Sequence, residues 1–299
     1  MILSCYSPIR GYRAREVSST GRRAIVFKPA AGYIDLPMEV PCGKCTGCLL
    51  DRAKDWAVRC MHESGQHDDN CFVTLTYSDD SLRFTSDGFP TLYPRDFVLF
   101  FKRLRKSLHP LSIRFFQCGE YGESLGRPHH HCIIFGFRPV DLVIWSEKGG
   151  VKLYRSAFLE RFWPYGFVTV GNVTYESAAY VSRYILKKVH GSAAAAHYKG
   201  RVPEYLTMSR RPGIGKNWID KYSDDVYRSD NVVYGLGRLT KPPRYYDKQY
   251  EKLDKDHFSE VEQKRRIEEA GSDYNSEYRK SARKKIQEAR LAVLKRELT

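Results

Sequence analysis

The chain has 299 residues, 42% hydrophobic and 28% charged, enough for one large domain or one domain with an appended arm. Against 35 Asp and Glu stand 50 Lys and Arg, and the formal charge of +15 favours a polyanionic partner, nucleic acid first of all. Its apolar runs are too short for a membrane span or a signal peptide, so a cytosolic protein without membrane attachment is expected, with its eight cysteines as thiols or ligands rather than disulfides.

Residues 1–48 read as an irregular arm with a short metal knuckle. Cys42, Cys45 and Cys48 are spaced Cys-x-x-Cys-x-x-Cys, with glycines that let the backbone curl so that thiolates converge. A fourth ligand is needed for structural zinc. Cys60 is nearest in sequence, but Leu49, Leu50, Ala53, Trp56, Ala57 and Cys60 recur at helical spacing, predicting a helix over 49–63. Twelve helical residues at about 1.5 Å each carry Cys60 roughly 18 Å away. Cys5 is the better fourth ligand, although thiols alone would also suit an iron–sulfur cluster. A strand at 71–77 follows, in which Thr74 and Thr76 read as ordinary half-buried positions. After a loop at 82–90, Pro94 opens a helix running to about Leu108, with Phe97, Val98, Phe101, Leu104 and Leu108 on one face.

Strands at 112–118 and 129–137 flank a short turn and are therefore antiparallel. The second begins with three adjacent histidines. Side-chain alternation puts His129 and His131 on one face and His130 on the other, and a register slip of one would exchange them. Two imidazoles two residues apart on a stiff strand can grip one metal ion. The turn brings Glu120 beside them. A carboxylate and two imidazoles, with positions left open, suit a catalytic divalent ion rather than a closed structural site.

Tyr154 to Phe162 reads as a short helix, Phe167 to Val173 as a strand, and Thr174 to Lys188 as a helix with Thr174 as N-cap. Tyr180 and Tyr184 lie one turn apart on one face, and Lys187 and Lys188 continue the helix. Phenols with cations one turn on have the parts for covalent capture of a phosphodiester. Such tyrosine pairs are more often core packing, but Arg183, Lys187 and Lys188 argue against a wholly buried face. From Ser177 to Lys216, the cations Arg183, Lys187, Lys188, Lys199, Arg201, Arg210, Arg211 and Lys216 meet a single acid, Glu204. The plentiful aromatic rings would suit unpaired bases if they are not all core.

Gly191 to Gly200 is small and polar and reads as flexible. The glycines of 208–218, with Arg210, Arg211 and Lys216, could clamp a phosphate or form a plain basic loop. Residues 251–299 read as a solvated helical arm. No Walker-type glycine loop occurs, so an ATP-driven helicase is not supported. Together these elements predict an α+β domain with a central antiparallel sheet and helices on one face. The expected divisions are 1–63 for the cysteine arm and helix, 64–220 for the catalytic domain, and 221–299 for a C-terminal extension.

Gly119-Glu120-Tyr121-Gly122, Arg127-Pro128-His129-His130-His131 and Tyr180-Val181-Ser182-Arg183-Tyr184, with Cys42 to Cys48 and Phe72 to Tyr77, resemble the replication initiators of gokushovirus-type Microviridae phages. These are two-tyrosine members of the HUH endonucleases, and the resemblance spans roughly residues 5–218. His130 departs from that family's pattern, where the middle position is often hydrophobic or aromatic. The resemblance implies an HUH fold and rolling-circle initiation by tyrosine nicking and religation of an origin strand. It implies Mg2+ or Mn2+ on His129, His131 and Glu120, and catalysis by Tyr180, Tyr184, Lys187 and Lys188. Arg183, Arg210, Arg211 and Lys216 would contact single-stranded or supercoiled phage DNA, with structural zinc on Cys5, Cys42, Cys45 and Cys48. A host polymerase and helicase in the bacterial cytoplasm would complete the reaction. Relaxases of the same superfamily usually place the tyrosine before the histidines, which here disfavours that alternative. A non-catalytic zinc-stabilised nucleic-acid binder explains the charge and cysteines but not the His strand together with the Tyr helix. A nuclease using metal-bound water would leave the tyrosines as packing.

Overall fold

The computed structural model describes residues 4–18, 21, 23–122, 125–183, 188–189, 191–235, 237–270 and 276–293. The chain forms two compact units, one of residues 1–52 with 262–296 and one of 53–261 with 297–299.

In the first unit, β1 (Ile9–Ala14), β2 (Ile25–Val26) and β3 (Gly32–Val40) make an antiparallel sheet in the order β2-β1-β3. This corrects the irregular arm expected for residues 1–48. The apolar/polar alternation of β3 is legible, but β1 alternates arginines with small and aromatic residues and carries little hydrophobic signal. Helix α1 (Thr46–Ser64) begins in this unit, belongs to the second from Ala53 on, and runs unbroken past Cys60.

The second unit is built on β4 (Asn70–Thr76), α2 (Pro94–Leu108), β5 (Arg114–Tyr121), β6 (Pro128–Phe135), β7 (Val143–Lys148), β8 (Val151–Arg155), α3 (Ala157–Glu160), β9 (Val168–Gly171), α4 (Tyr175–Ser182), α5 (Ala193–Tyr198) and β10 (Tyr205–Met208). Its seven strands pair antiparallel in the order β10-β5-β6-β4-β9-β8-β7. The α+β class with a large antiparallel sheet is as the sequence predicts. Helices cover both faces rather than one. Val73, Leu75, Cys132, Ile134, Val168 and Val170 lie under Phe97, Phe100, Phe101 and Leu104 of α2, with Trp163 among them. On the other face Phe72, Phe116 and Ile133 lie under Ala57 and Cys60 of α1 and Ala178 and Val181 of α4. Burying each large apolar side chain contributes about 1.5–3 kcal/mol, and the near-continuous apolar runs of β4 and β6 reflect burial on both sides.

Residues 143–155 form a hairpin, where the sequence pattern predicts a helix from Tyr154. The helical part is Ala157–Glu160 alone. Gly149 and Gly150, both at positive φ, make the tight connection and were the available signal. Residues 191–200, read as flexible, contain the short helix α5.

A third core joins Val58 of α1 to α6 (Lys216–Ser229), α7 (Arg244–Leu253) and α8 (Lys255–Ala270) through Ile219, Tyr227, Tyr246, Tyr250 and Phe258. Between them β11 (Val232–Tyr234) and β12 (Arg238–Thr240) form a small hairpin. The last helix, α9 (Glu277–Val293), belongs to the first unit, where the nearly buried ammonium of Lys280 lies 3.1 Å from Glu277 and 3.7 Å from Glu39. Among the described residues no helix is long and apolar enough to cross a membrane.

Candidate metal and nucleophile site

Strand pairing assembles the first site. Glu120 is the penultimate residue of β5 rather than part of a turn, and it stands directly opposite His129 of β6. Directly opposed residues share a face. His129 and His131 therefore point to the side of Glu120, and His130 points to the other, as strand alternation predicts. One ligand atom from each of Glu120, His129 and His131 falls within 4.8 Å of the other two. Both imidazole Nε2 atoms lie 3.1 Å from Glu120 Oε1.

The far ring nitrogens are held from behind. His129 Nδ1 is 3.1 Å from the Arg127 carbonyl, and His131 Nδ1 is 2.9 Å from Thr74 Oγ1. A proton on Nδ1 of each ring, held by these acceptors, would leave the Nε2 lone pair to a metal in place of the hydrogen bond to Glu120. Thr74, read from sequence as an ordinary strand position, thus orients a ligand. It stands across from His131 on β4, and only the register reveals this. Burial opposes charge on Glu120, but His129 and His131 hold its carboxyl well below the usual carboxylate range. An ionised carboxylate is the form a divalent cation needs.

Helix α4 delivers the phenol. Its N-terminus is closed by a capping box in which Thr174 and Ser177 satisfy each other's backbone amides. Ala178 and Val181 pin the helix to the sheet, and Tyr180 Oη donates to Glu120 Oε1 at 3.0 Å. The Tyr180 ring stands edge-on to His131, with centroids 4.9 Å apart. Burial and the Glu120 carboxylate push the Tyr180 hydroxyl well above its usual range, so it is protonated at neutral pH. The Arg183 guanidinium lies 5.9 Å from the Tyr180 ring centroid. Tyr184 and Lys187 lie outside the described residues. Lys188 follows them, partly buried.

His130 sits behind this site, fully buried between Tyr77 Oη at 3.1 Å and Tyr205 Oη at 3.3 Å. Tyr77 in turn donates to Asp96. Burial pulls the His130 imidazole down to about 3, so it packs as a neutral ring.

The cysteines form a second constellation, within the first unit. Sγ atoms of Cys5, Cys42, Cys45 and Cys48 lie within 4.8 Å of one another, and Cys60 is buried instead in the core under α1. The Cys42 amide donates to Cys5 Sγ and the Cys45 amide to Cys42 Sγ, both at 3.3 Å. Burial works against the Cys42 thiolate, but the amides of Lys44 and Cys45 bring that thiol down to about 7. Four converging thiols with amide donors fit a tetrahedral metal.

Arg210 and Arg211 are exposed. Lys216 pairs with Asp220, and the Gly215 amide donates to Glu63 at 2.7 Å, so part of the expected phosphate clamp is engaged within the protein.

An antiparallel sheet presents two imidazoles and a carboxylate that could hold a metal ion, with a helix-borne phenol hydrogen-bonded to that carboxylate. Residues 70–189, which hold all of it, match the family model described as replication-associated protein of the ORF2 type. The chain is 39% identical over 223 residues to replication-associated protein VP4 of Bdellovibrio phage phiMH2K, covering 71% of this chain and 67% of that one. It is 37% identical to replication-associated protein ORF2 of Spiroplasma virus 4 (73% and 70% covered) and 32% identical to replication-associated protein ORF4 of Chlamydia phage 1 (68% and 52% covered). The chain belongs to this family of phage replication-associated proteins. No solved structure matches it.

Proposed function

We propose that this protein starts rolling-circle replication of a small single-stranded phage genome by nicking the origin strand with a tyrosine and later rejoining the ends. The observation that carries the reading is the position of Tyr180 Oη, 3.0 Å from a carboxylate oxygen that also meets both imidazoles. A phosphate drawn to those ligands would have the phenol at hand.

Mg2+ or Mn2+ on His129, His131 and Glu120 would withdraw charge from the phosphate oxygens. Tyr180 Oη attacks phosphorus, a tyrosine–phosphate bond forms, and the bond to the 3′-oxygen breaks. The 3′-oxygen leaves and takes up one proton, balancing the one the phenol loses, to give a hydroxyl that can prime a host polymerase. The phenolic proton is already directed at Glu120, and Arg183 beside the ring offsets developing negative charge. Tyr184 would serve as the second nucleophile at the end of a circuit, with Lys187 and Lys188 stabilising charge. Exposed Arg210 and Arg211 would hold backbone phosphates, and Lys216 would do so after releasing Asp220. The nicking domain would span residues 64–220, between an N-terminal arm at 1–63 and a C-terminal extension at 221–299. Zinc on the four cysteines would staple the N-terminal segment. Strand separation would fall to a host helicase, and the reaction to the cytoplasm of the bacterial host.

The test is cleavage of the phage's circular single-stranded DNA. The wild-type chain with Mn2+ should open the circle. His129→Ala and His131→Ala should not, while binding it nearly as well, because phosphate contacts supply most of the affinity. Cleavage that survives both substitutions would refute the reading.

A further inference from the structure

The face of the sheet that carries the metal ligands continues well beyond them. Row by row, the residues on this face pass from buried to open. Phe116, Ile133 and Phe72 form one row under α1 and α4. The next row holds Cys118, His131, Thr74 and Thr169. In the last row Glu120 stands opposite His129 and His129 opposite Thr76. Phe167 and Thr76 exchange both backbone hydrogen bonds, at 3.0 and 3.2 Å, so Phe167 completes this row on the same face. Phe167 is 56% exposed, an unusual state for a phenylalanine beside a polar centre.

Two further strands prolong the surface. Arg155, at the end of β8, sets its guanidinium 5.6 Å from the Phe167 ring centroid and 5.1 Å from that of Trp145 on β7. Trp145 is 61% exposed. It is the extra residue of a β-bulge between Ile144 and Ser146, the device that re-aims a side chain. Glu160 Oε1 accepts from Arg155 Nε at 2.6 Å and so fixes the plane of the guanidinium between the two rings. The arrangement is open ring, oriented cation, open ring, in line with the metal ligands. From β6 to β7 it spans four strand spacings of ~4.8 Å, about 19 Å, the length of a few nucleotides.

We propose that Phe167, Arg155 and Trp145 form a stacking subsite for unpaired DNA on one side of the scissile phosphate. The inference rests on the nicking role proposed for the metal centre. Unpaired bases stack on exposed rings whatever their sequence, and a guanidinium between rings extends the platform while favouring the polyanion. A duplex keeps its base faces to itself and gains little from such a surface. The hydroxyls of Thr76 and Thr74 lie between this platform and the histidines.

The test uses the full chain and a short labelled single strand of mixed sequence, with a duplex of the same length beside it. Phe167→Leu and Trp145→Leu keep apolar bulk and remove the rings. Each should weaken single-strand binding roughly tenfold and leave duplex binding nearly unchanged. Trp145→Phe, which retains a ring, should stay close to wild type. Titration with Mn2+ alone and the thermal midpoint should be unaltered, which separates a lost platform from a damaged fold. Wild-type affinity in both Leu variants, or an equal loss on single strand and duplex, would overturn the proposal. The nicking reading fails differently, through absence of a covalent adduct in the unsubstituted chain, and the two failures cannot be confused.

Discussion

At the scale of single residues, a threonine sets the orientation of one imidazole of the candidate metal site. Thr74 Oγ1 lies 2.9 Å from His131 Nδ1 and fixes which nitrogen faces Glu120. Thr74→Val keeps the shape and removes that bond, so Mn2+ affinity measured by titration should fall about 10- to 100-fold with the fold intact. His130→Ala should behave oppositely. It removes the buried partner shared by Tyr77, which keeps its bond to Asp96, and Tyr205, costing about 1–3 kcal/mol in unfolding experiments. That Glu120, His129 and His131 come together was legible because strand alternation and a short connection suffice to bring them side by side. Thr74 was not, because it reaches the site through a register between strands more than fifty residues apart in sequence. Trp145 and Phe167 were hidden for the same reason.

At the scale of elements, α4 and β5 hold Tyr180 and Glu120 together, and their supports can be tested. Thr174→Ala removes the cap of α4 and should lower stability by about 1 kcal/mol. Gly119 allows β5 and β10 to pair beside Tyr205. A Cβ there would lie 2.5 Å from the Tyr205 ring, so Gly119→Ala should cost about 1–3 kcal/mol and disturb the neighbouring Glu120. In α1, His62 stacks on Trp218 and bonds Tyr246 Oη and the Val233 carbonyl, each at 3.0 Å. Burial lowers this imidazole to about 4 from the usual 6.5. Its unfolded form takes up a proton as pH falls through 6.5, and the folded form does so only near 4. The stability it contributes is therefore complete above pH 6.5 and is lost progressively down to about 4, on the order of 3 kcal/mol in all. Thermal midpoints measured over that range should fall less steeply in His62→Phe. The helices α1 and α2 were legible from apolar periodicity. The hairpin β7–β8 was announced by Gly149-Gly150, but its exposed strands lack an alternating apolar face.

For the whole molecule, the lesson concerns segments distant in sequence. Residues 262–296 fold with the N-terminal segment, a pairing that no local pattern encodes. The cysteine cluster is the exception, because a helix of known rise excluded Cys60 and left Cys5. Purified chain should hold about one tightly bound zinc, lost in Cys5→Ser and retained in Cys60→Ser, as metal analysis would show. Equal loss in both variants would contradict the site. The central claim is that a tyrosine of α4 or the residues just after it becomes joined to DNA. Peptide mapping by mass spectrometry of the adduct trapped on single-stranded phage DNA tests it directly. The account predicts a 5′-phosphate on Tyr180 or Tyr184 and no adduct when both are phenylalanine; a phosphate on another residue, or free ends released by the double variant, would contradict it.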